Sequence, residues 1–544
     1  MKKFQRILSA LLAAGCALSV SACGQENTPS SSEPSAPASS ASQPESSQAE
    51  PAGITYPIPG NLKFTYAIAE ESAVTTNVKS LADTPFIKAL EEATGVTLEI
   101  QHPAGADGFN LLFASGELPD IISYNFLKKY SGGAPKAIRD GIIYPINDLI
   151  EENAPDLKAV LDSNELYYKS TVTAEGNIIG FPFIRSDKSL QVSVGMIMRQ
   201  DWLEDLNLDV PKTPDQLYDV LKAFQEKEGA TYPICLRVSS ALSCGELTSP
   251  FGLPTTTFYK KDGTVHYGAA EESYKEVLVY LHKLFAEGLL DPNFATIDGT
   301  TISANFMNGV SGLTRGSLGS GIGNFLQTMS EQDPNFDVIG IQSLVANDDD
   351  VPMYSYYDNP VLGTMTVITP GCKNKEVAAQ FLNYNYTEEG KMLFNFGIEG
   401  ESYTIVDGKP TYTELITNNP NGWTMQQALA QYTRAWSADA FVQDKRFGEQ
   451  YFARPQQQDA LSKWLDTDVA DYFMPPVTIA EADLTEYSKL YGDISTYVDE
   501  MQVKFITGVE PLDNFDTYLA TLEQMGVKRV IELQQAALDE FNAR

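Results

Sequence analysis

Cys23 is the residue best placed for chemistry. It closes the small-residue run Val20-Ser21-Ala22, behind a basic start at Lys2, Lys3 and Arg6 and an apolar stretch from Ile7 to Ala17, the layout of a cleavable export leader. Other reactive constellations are sparse. G-x-S-x-G, G-x-x-x-x-G-K-[ST] and H-E-x-x-H are all missing, so no catalytic residue is nominated and the chain reads as a non-enzyme. Gly316, Gly319, Gly321 and Gly323 form a Gly-rich loop without dinucleotide spacing and without a convincing strand before it. Asp348-Asp349-Asp350 lacks the alternating ligands and glycine of a calcium loop and reads as a solvated acidic turn. His102, His266 and His282 are scattered, and no C-x-x-C occurs, so neither metal nor cofactor is expected. His282 reads as a helix-face residue. Cys235 and Cys244 are close enough in sequence for a disulfide, although exported proteins with large cores do not need one. With 72 acidic residues, a carboxylate pair near glycosidase distance carries no information.

The leader, residues 1–22, has an apolar run too short to span a bilayer comfortably, which needs roughly 20 residues. Its arrangement resembles the lipobox signal of bacterial lipoproteins, in which the peptide is cut before the cysteine and the thiol is diacylated. Residues 24–53 hold nine Ser, five Pro and four Glu, with no aromatic, Leu, Ile, Val or Met. Such a segment buries too little apolar surface to offset its ordering entropy. Residues 23–53 therefore read as a lipidated cysteine and disordered tether, spanning about 30 Å as a flexible chain. Removal of residues 1–22 leaves 35 basic against 72 acidic residues, a formal excess of 37 negative charges. That balance excludes nucleic acid as a partner and leaves the acyl group, not surface charge, to hold the membrane.

Beyond the tether, residues 61–68 alternate as a first strand, residues 84–94 form a helix with Phe86, Leu90 and Ala93 on one face, and residues 96–100 form a second strand. A helix at 109–114, a turn at 116–119 and a short buried strand at 120–123 continue a rhythm that predicts parallel sheets covered by helices. Residues 176–182 read as turn and strand, 196–198 as strand and 199–206 as helix. Thr213 and Pro214 read as N-cap and first position of the next helix. Further helices are expected at 271–287, 375–385, 387–395, 484–506 and 514–541. Roughly 490 residues follow the tether, more than one core usually organises, so two lobes are expected.

Several phrases in order point to a family. Gly116-Glu117-Leu118-Pro119-Asp120-Ile121 resembles the G-x-x-P-D-I turn of extracellular solute-binding proteins (family 1). Met198 to Leu203 with Val210 to Leu217, Phe285 to Pro292, and Phe306 to Gly309 are similar to further phrases of that family, and Phe394 to Tyr403 resembles the G-I-E-G segment of its LipO-like branch. The resemblance implies an α/β, two-lobed periplasmic-binding-protein-like fold (type II), with hinge strands between the lobes and a ligand cleft at their interface. Lobe 1 is expected at 57–184 plus about 352–455, and lobe 2 at 185–351 plus about 456–544.

It further implies a lipid-anchored substrate-binding component on the extracellular face of the cell membrane. That component would be a monomer delivering an oligosaccharide to the permease subunits of an ABC importer. A peptide ligand, a surface adhesion or sensory role, and a surface polysaccharide hydrolase are the alternatives. Sugar sites need aromatic platforms bracketed by polar side chains, and 27 Tyr, 26 Phe and 4 Trp suffice to build one. By position against maltose-type binders the resemblance nominates Tyr124 and Asn125 after the P-D-I strand, Arg185 and Asp187 after the Gly176–Pro182 segment, and Arg315 and Ser317 beyond Phe306–Gly309. Trp423 and Trp436 are nominated as late stacking residues. At Met198 the chain departs from those binders, which carry an aromatic there.

Because only Cys23 sits at the cleavage site, Cys23→Ala is expected to abolish incorporation of labelled fatty acid into the expressed protein; unchanged labelling of that variant refutes the assignment.

Overall fold

The computed structural model describes residues 53–544 except 253–255, 436 and 438. The leader, Cys23 and nearly all of the tether lie outside the described residues, as does Trp436. The described strands are β1 (Leu62–Ala67), β2 (Val96–Gln101), β3 (Ile121–Asn125), β4 (Phe181–Arg185), β5 (Val194–Arg199), β6 (Phe258–Lys261), β7 (Thr264–Tyr267), β8 (Leu313–Ser317), β9 (Val338–Ile341), β10 (Val361–Ile368), β11 (Tyr403–Val406), β12 (Lys409–Tyr412) and β13 (Val442–Gln443).

Local sequence builds the first half. The side chain of Thr84 accepts from the Ile87 amide and caps the helix Pro85–Thr94, which ends at Gly95 in a left-handed conformation. That helix returns the chain so that β2 lies parallel to β1, with Leu62 opposite Val96, and β3 joins β1 in parallel, with Tyr66 opposite Ile121. The complete sheet has the order β13-β4-β10-β3-β1-β2. Phe64, Ile122, Phe181, Val367 and Phe381 belong to the core packed about it.

The expectation of wholly parallel sheets needs correcting. β10 inserts antiparallel between β3 and β4, and a second sheet, β8-β5-β9, is antiparallel throughout. In both cases the paired strands come from distant parts of the chain, and no local rhythm marks such pairing. The helix expected over 514–541 is two helices, Phe515–Gln524 and Val527–Ala543, broken at Gly526 with φ +93°. The other long elements fall close to their expected places, with Thr213 capping Pro214–Lys227 as expected and Gln216 completing a capping box there. His282 lies on the helix Tyr274–Ala286 and its Nδ1 is 3.0 Å from the Ile506 carbonyl oxygen. No helix among the described residues is long and apolar enough to cross a membrane.

A second core gathers Met198, Leu221, Leu278 and Leu281 with Val498 and Phe505 of the helix Glu481–Thr507. Against the β8-β5-β9 sheet lies the helix Pro455–Leu465. Trp464 of that helix is fully buried and donates from Nε1 to the Ile341 carbonyl at 3.0 Å. Its indole rests directly on Gly195, and Ala460 rests on Gly340, so a Cβ at either glycine would overlap the helix. The seam closes because both strand positions lack a side chain.

Gly195→Ala is therefore expected to lower stability by about 1–3 kcal/mol or more, through overpacking against Trp464. Chemical denaturation measures it, and a variant as stable as the parent would show that the seam yields.

Candidate functional site

The chain passes between the two sheets at segments that lie side by side. β4 ends at Arg185 and β5 starts at Val194, with only the short helix Lys188–Gln191 between them. The return runs from β9 to β10 through Tyr356, Tyr357 and Asp358. The two crossings are laced together by backbone: the Asp358 amide donates to the Gln191 carbonyl at 2.9 Å and the Arg185 amide to the Pro360 carbonyl at 2.8 Å. Side chains add to this. Gln191 Nε2 donates to the Arg185 carbonyl at 2.8 Å, and Tyr357 donates to Gln191 Oε1 at 2.6 Å.

Two arginine–carboxylate pairs flank these crossings. Arg185 Nη1 reaches Asp358 Oδ2 at 2.6 Å, and the same oxygen accepts from the Tyr356 hydroxyl at 2.8 Å. The guanidinium of Arg315, on β8, lies 5.7 Å from the Tyr356 ring centroid and donates from Nε to Glu246 Oε1 at 2.7 Å. Thus Tyr356 links a pair rooted in the first sheet to a pair rooted in the second. Glu246 is only 1% exposed in its side chain. Burial pushes its carboxyl above the usual value, with Arg315 pulling it back. Burial also raises the Tyr356 phenol, and the Asp358 charge adds to that. Cys244, beside this pair, is pushed up to about 11 by burial, with Glu246 adding and Arg315 opposing. Three buried atoms of the pairs make no hydrogen bond: Arg185 Nε, Arg315 Nη2 and Glu246 Oε2. Buried polar atoms ordinarily find partners, so among the described residues the two pairs keep unused hydrogen-bonding capacity.

Four of the nominated residues gather here. Arg185 and Ser317 line a cavity of about 180 Å³ with Ser189, Ser193, Phe447 and Phe452. Asp187 Oδ1 accepts from the Ser189 amide at 2.9 Å and the Ser189 hydroxyl at 2.7 Å, capping the helix Lys188–Gln191. Burial opposes the Asp187 charge, but these bonds and Lys445 outweigh it and hold the carboxyl below its usual value. Ser317 Oγ caps the turn Leu318–Gly323 by accepting from the Ser320 amide at 2.9 Å. That turn is the Gly-rich loop, and contrary to the sequence reading a strand, β8, leads straight into it.

The remaining nominees sit apart from this cluster. Tyr124 is 7% exposed, with its ring centroid 4.6 Å from that of Phe109 and 5.2 Å from that of Phe113, and its hydroxyl donates to the Lys129 carbonyl. Asn125 accepts from the Lys128 amide at 2.9 Å and shapes the turn after β3. Trp423 is half-buried against the core of Phe396, Tyr412 and Phe447. Tyr356, Asp358 and Glu246 were missed; the aromatic-rich run Tyr354-Ser355-Tyr356-Tyr357-Asp358 was the one sequence signal. Cys235 and Cys244 are free thiols, Cys235 being engaged instead by Asn305 and Asp291. Asp348 and Asp350 bond to Gln216 and Asn347.

Two other polar places contribute differently. Arg434, 1% exposed, donates to Glu71 at 2.7 Å and to Asp439 at 3.2 Å, tying the late segment to the end of β1. A more enclosed cavity of about 190 Å³ lies between Gly132–Arg139, Ser170–Glu175 and the C-terminal helix. Its two arginines are paired within it, Arg139 with Glu481 and Arg544 with Glu540, Glu175 and Asp483 also line it, and it contains none of the residues above.

Comparison with known proteins places this geometry. The family model of bacterial extracellular solute-binding proteins matches residues 73–392. The chain is 25% identical over 379 residues to lipoprotein LipO of Bacillus subtilis, covering 66% of this chain and 72% of LipO. It is 22% identical over 574 aligned positions, 98% of each protein, to the fructooligosaccharide ABC transporter substrate-binding protein FusA of Streptococcus pneumoniae. The solved structure of an HMO-binding, ABC-transporter-associated solute-binding protein from Bifidobacterium longum infantis superposes with TM-score 0.70 at 19% identity, covering 89% of this chain and 99% of that one. The fold is the two-lobed one of these proteins.

Replacing Arg315 strands the buried Glu246 carboxylate, and breaking such a pair costs about 3–5 kcal/mol. The folded Glu246 value lies above the unfolded one, so its contribution favours the fold at low pH and is lost as pH rises through the folded value. Without Arg315 that value climbs further. The stability deficit of Arg315→Met is expected to be larger near pH ~8 than near pH ~5, and an equal deficit by chemical denaturation at both would contradict it.

Proposed function

Because this chain belongs to the bacterial extracellular solute-binding protein family, we propose that it captures an oligosaccharide between its two lobes and delivers it to the permease of an ABC importer. The observation that carries this reading is the hinge pairing of Arg185–Asp358 with Arg315–Glu246 across Tyr356, with buried donor and acceptor atoms left unbonded. Sugar hydroxyls both donate and accept, so the hydroxyl edge of a ring suits the Arg185 guanidinium and the hydroxyls of Ser189, Ser193 and Ser317 that line the cavity beside this pairing. Tyr356 and the Phe447–Phe452 wall supply apolar faces for the ring. Named relatives that bind fructooligosaccharides or HMO support the same ligand class.

The lobes of this reading are residues 57–184 with about 352–455, and 185–351 with about 456–544. The separate cores support that division, one drawn from Ile58–Ile184 and Val361–Phe441, the other from Met196–Leu344 and Ile494–Val530. Arg185, Asp187, Arg315 and Ser317 belong to the ligand site on this reading; Tyr124, Asn125 and Trp423 shape its surroundings. Cys23 carries the acyl anchor and holds a monomer on the extracellular face of the membrane. The protein binds without turnover.

The test is a thermal-shift screen of purified protein against glycan and peptide libraries. A ligand present at 100 times its dissociation constant stabilises by about 2.7 kcal/mol, and lobe closure should shrink the radius of gyration in small-angle scattering. Arg185→Ala is expected to weaken binding of the stabilising glycan by roughly 1.5–3 kcal/mol. Stabilisation by peptides alone, or consumption of a glycan by the purified protein, overturns the reading.

A further inference from the structure

A cavity of about 190 Å³ at the surface is lined by Arg237, which is exposed, with Ser240, Gly299, Ile302 and Arg315. Two arginines and no acidic residue line it, in a chain whose acidic residues outnumber its basic ones 72 to 38. Both guanidinium groups are held in place. Arg237 donates from Nε and Nη2 to the Ile297 carbonyl, at 3.3 and 2.9 Å, and Arg315 is fixed through Nε to Glu246, with Nη2 buried and unbonded. Glu246 offsets the charge of Arg315. The partner of Arg237 is an uncharged carbonyl, so the cavity carries one positive charge that no ion pair among the described residues balances. Asp298, which precedes Gly299, is turned to its own helix, accepting from the amides of Thr300 and Thr301 and the Thr301 hydroxyl.

We infer that this cavity is an anion subsite, which takes the carboxylate of a uronic-acid residue in the bound oligosaccharide. A guanidinium presents parallel N–H groups that match the two oxygens of a carboxylate, and two such groups fixed by neighbours lose little freedom in binding one. Arg315 also faces Tyr356, so the acidic residue occupies the cavity while its neighbours in the glycan extend along the hinge pairs. The sugar in this inference rests on the oligosaccharide reading; the anion does not.

The experiment measures binding of oligogalacturonates and oligoalginates, and of their methyl esters, to the full chain by calorimetry. Sodium sulfate and sodium acetate are tested beside them by thermal shift. One of the two acids is expected to bind about tenfold or more tighter than its ester, Arg237→Gln to erase that preference, and Arg237→Lys to keep part of it. Equal affinity for acid and ester, or binding of neutral glycans only, overturns the subsite and leaves the oligosaccharide reading standing. Stabilisation of the parent but not of Arg237→Gln by sulfate or acetate, with no saccharide bound, supports the subsite and overturns that reading. A sulfated glycan preferred over both uronates overturns the carboxylate assignment.

Discussion

The molecule depends on two stretches of chain, 186–193 and 342–360, being fastened to each other where they pass between the sheets. Two backbone hydrogen bonds, Asp358 to Gln191 and Arg185 to Pro360, set their spacing. With that spacing set, the Asp358 carboxylate can reach Arg185 and Tyr356 together, and Tyr356 can face Arg315. Without the lacing the two arginines would stand on separate sheets with no common neighbour. The site is thus a by-product of how the chain changes sheets, which is why its residues come from four separated places: 185, 246, 315 and 356–358.

The charges gathered there are affordable only in combination. Burial disfavours charge on a carboxylate as enclosed as Glu246; Arg315 beside it opposes that, while one oxygen and one nitrogen of the pair stay unbonded. Arg434 between Glu71 and Asp439 shows the contrasting arrangement, since Ser437 and Tyr66 take up the remaining carboxylate oxygens. The first is a site with capacity left over. The second is a finished clamp that orders the late segment of the first sheet's half.

What the sequence made legible follows from the range of each interaction. The Thr213 N-cap with Pro214 at the first helical position and the parallel pairing of β1 with β2 rest on neighbours within a few tens of residues, and they stand where the sequence puts them. The insertion of β10 between β3 and β4 joins residues near 122 to residues near 367, and no period or cap encodes that. Arg185 and Arg315 were reached by likeness to other binders, whereas Tyr356 and Asp358 lie in a crossing that carries only an aromatic-rich run as a signal. Tyr124 shows the opposite limit: a strand-end position that elsewhere reaches a ligand is here occupied by a ring packed among Phe109, Phe113 and Phe126.

The bare contact of Trp464 and Ala460 with Gly195 and Gly340 bears on how displacement is transmitted. Packed side chains between a helix and a sheet form a layer that can shear by rotamer changes; here Ile197 and Val338 pack with the helix in that way, but at Gly195 and Gly340 the helix meets bare backbone. The helix Pro455–Leu465 begins immediately after the helix Lys445–Tyr451, whose Phe447 and Tyr451 pack with the core around Phe396. The third passage between the halves therefore reaches the second sheet through a seam with little room to slide, a short and closely packed link between the core around Phe396 and the strands β5 and β9.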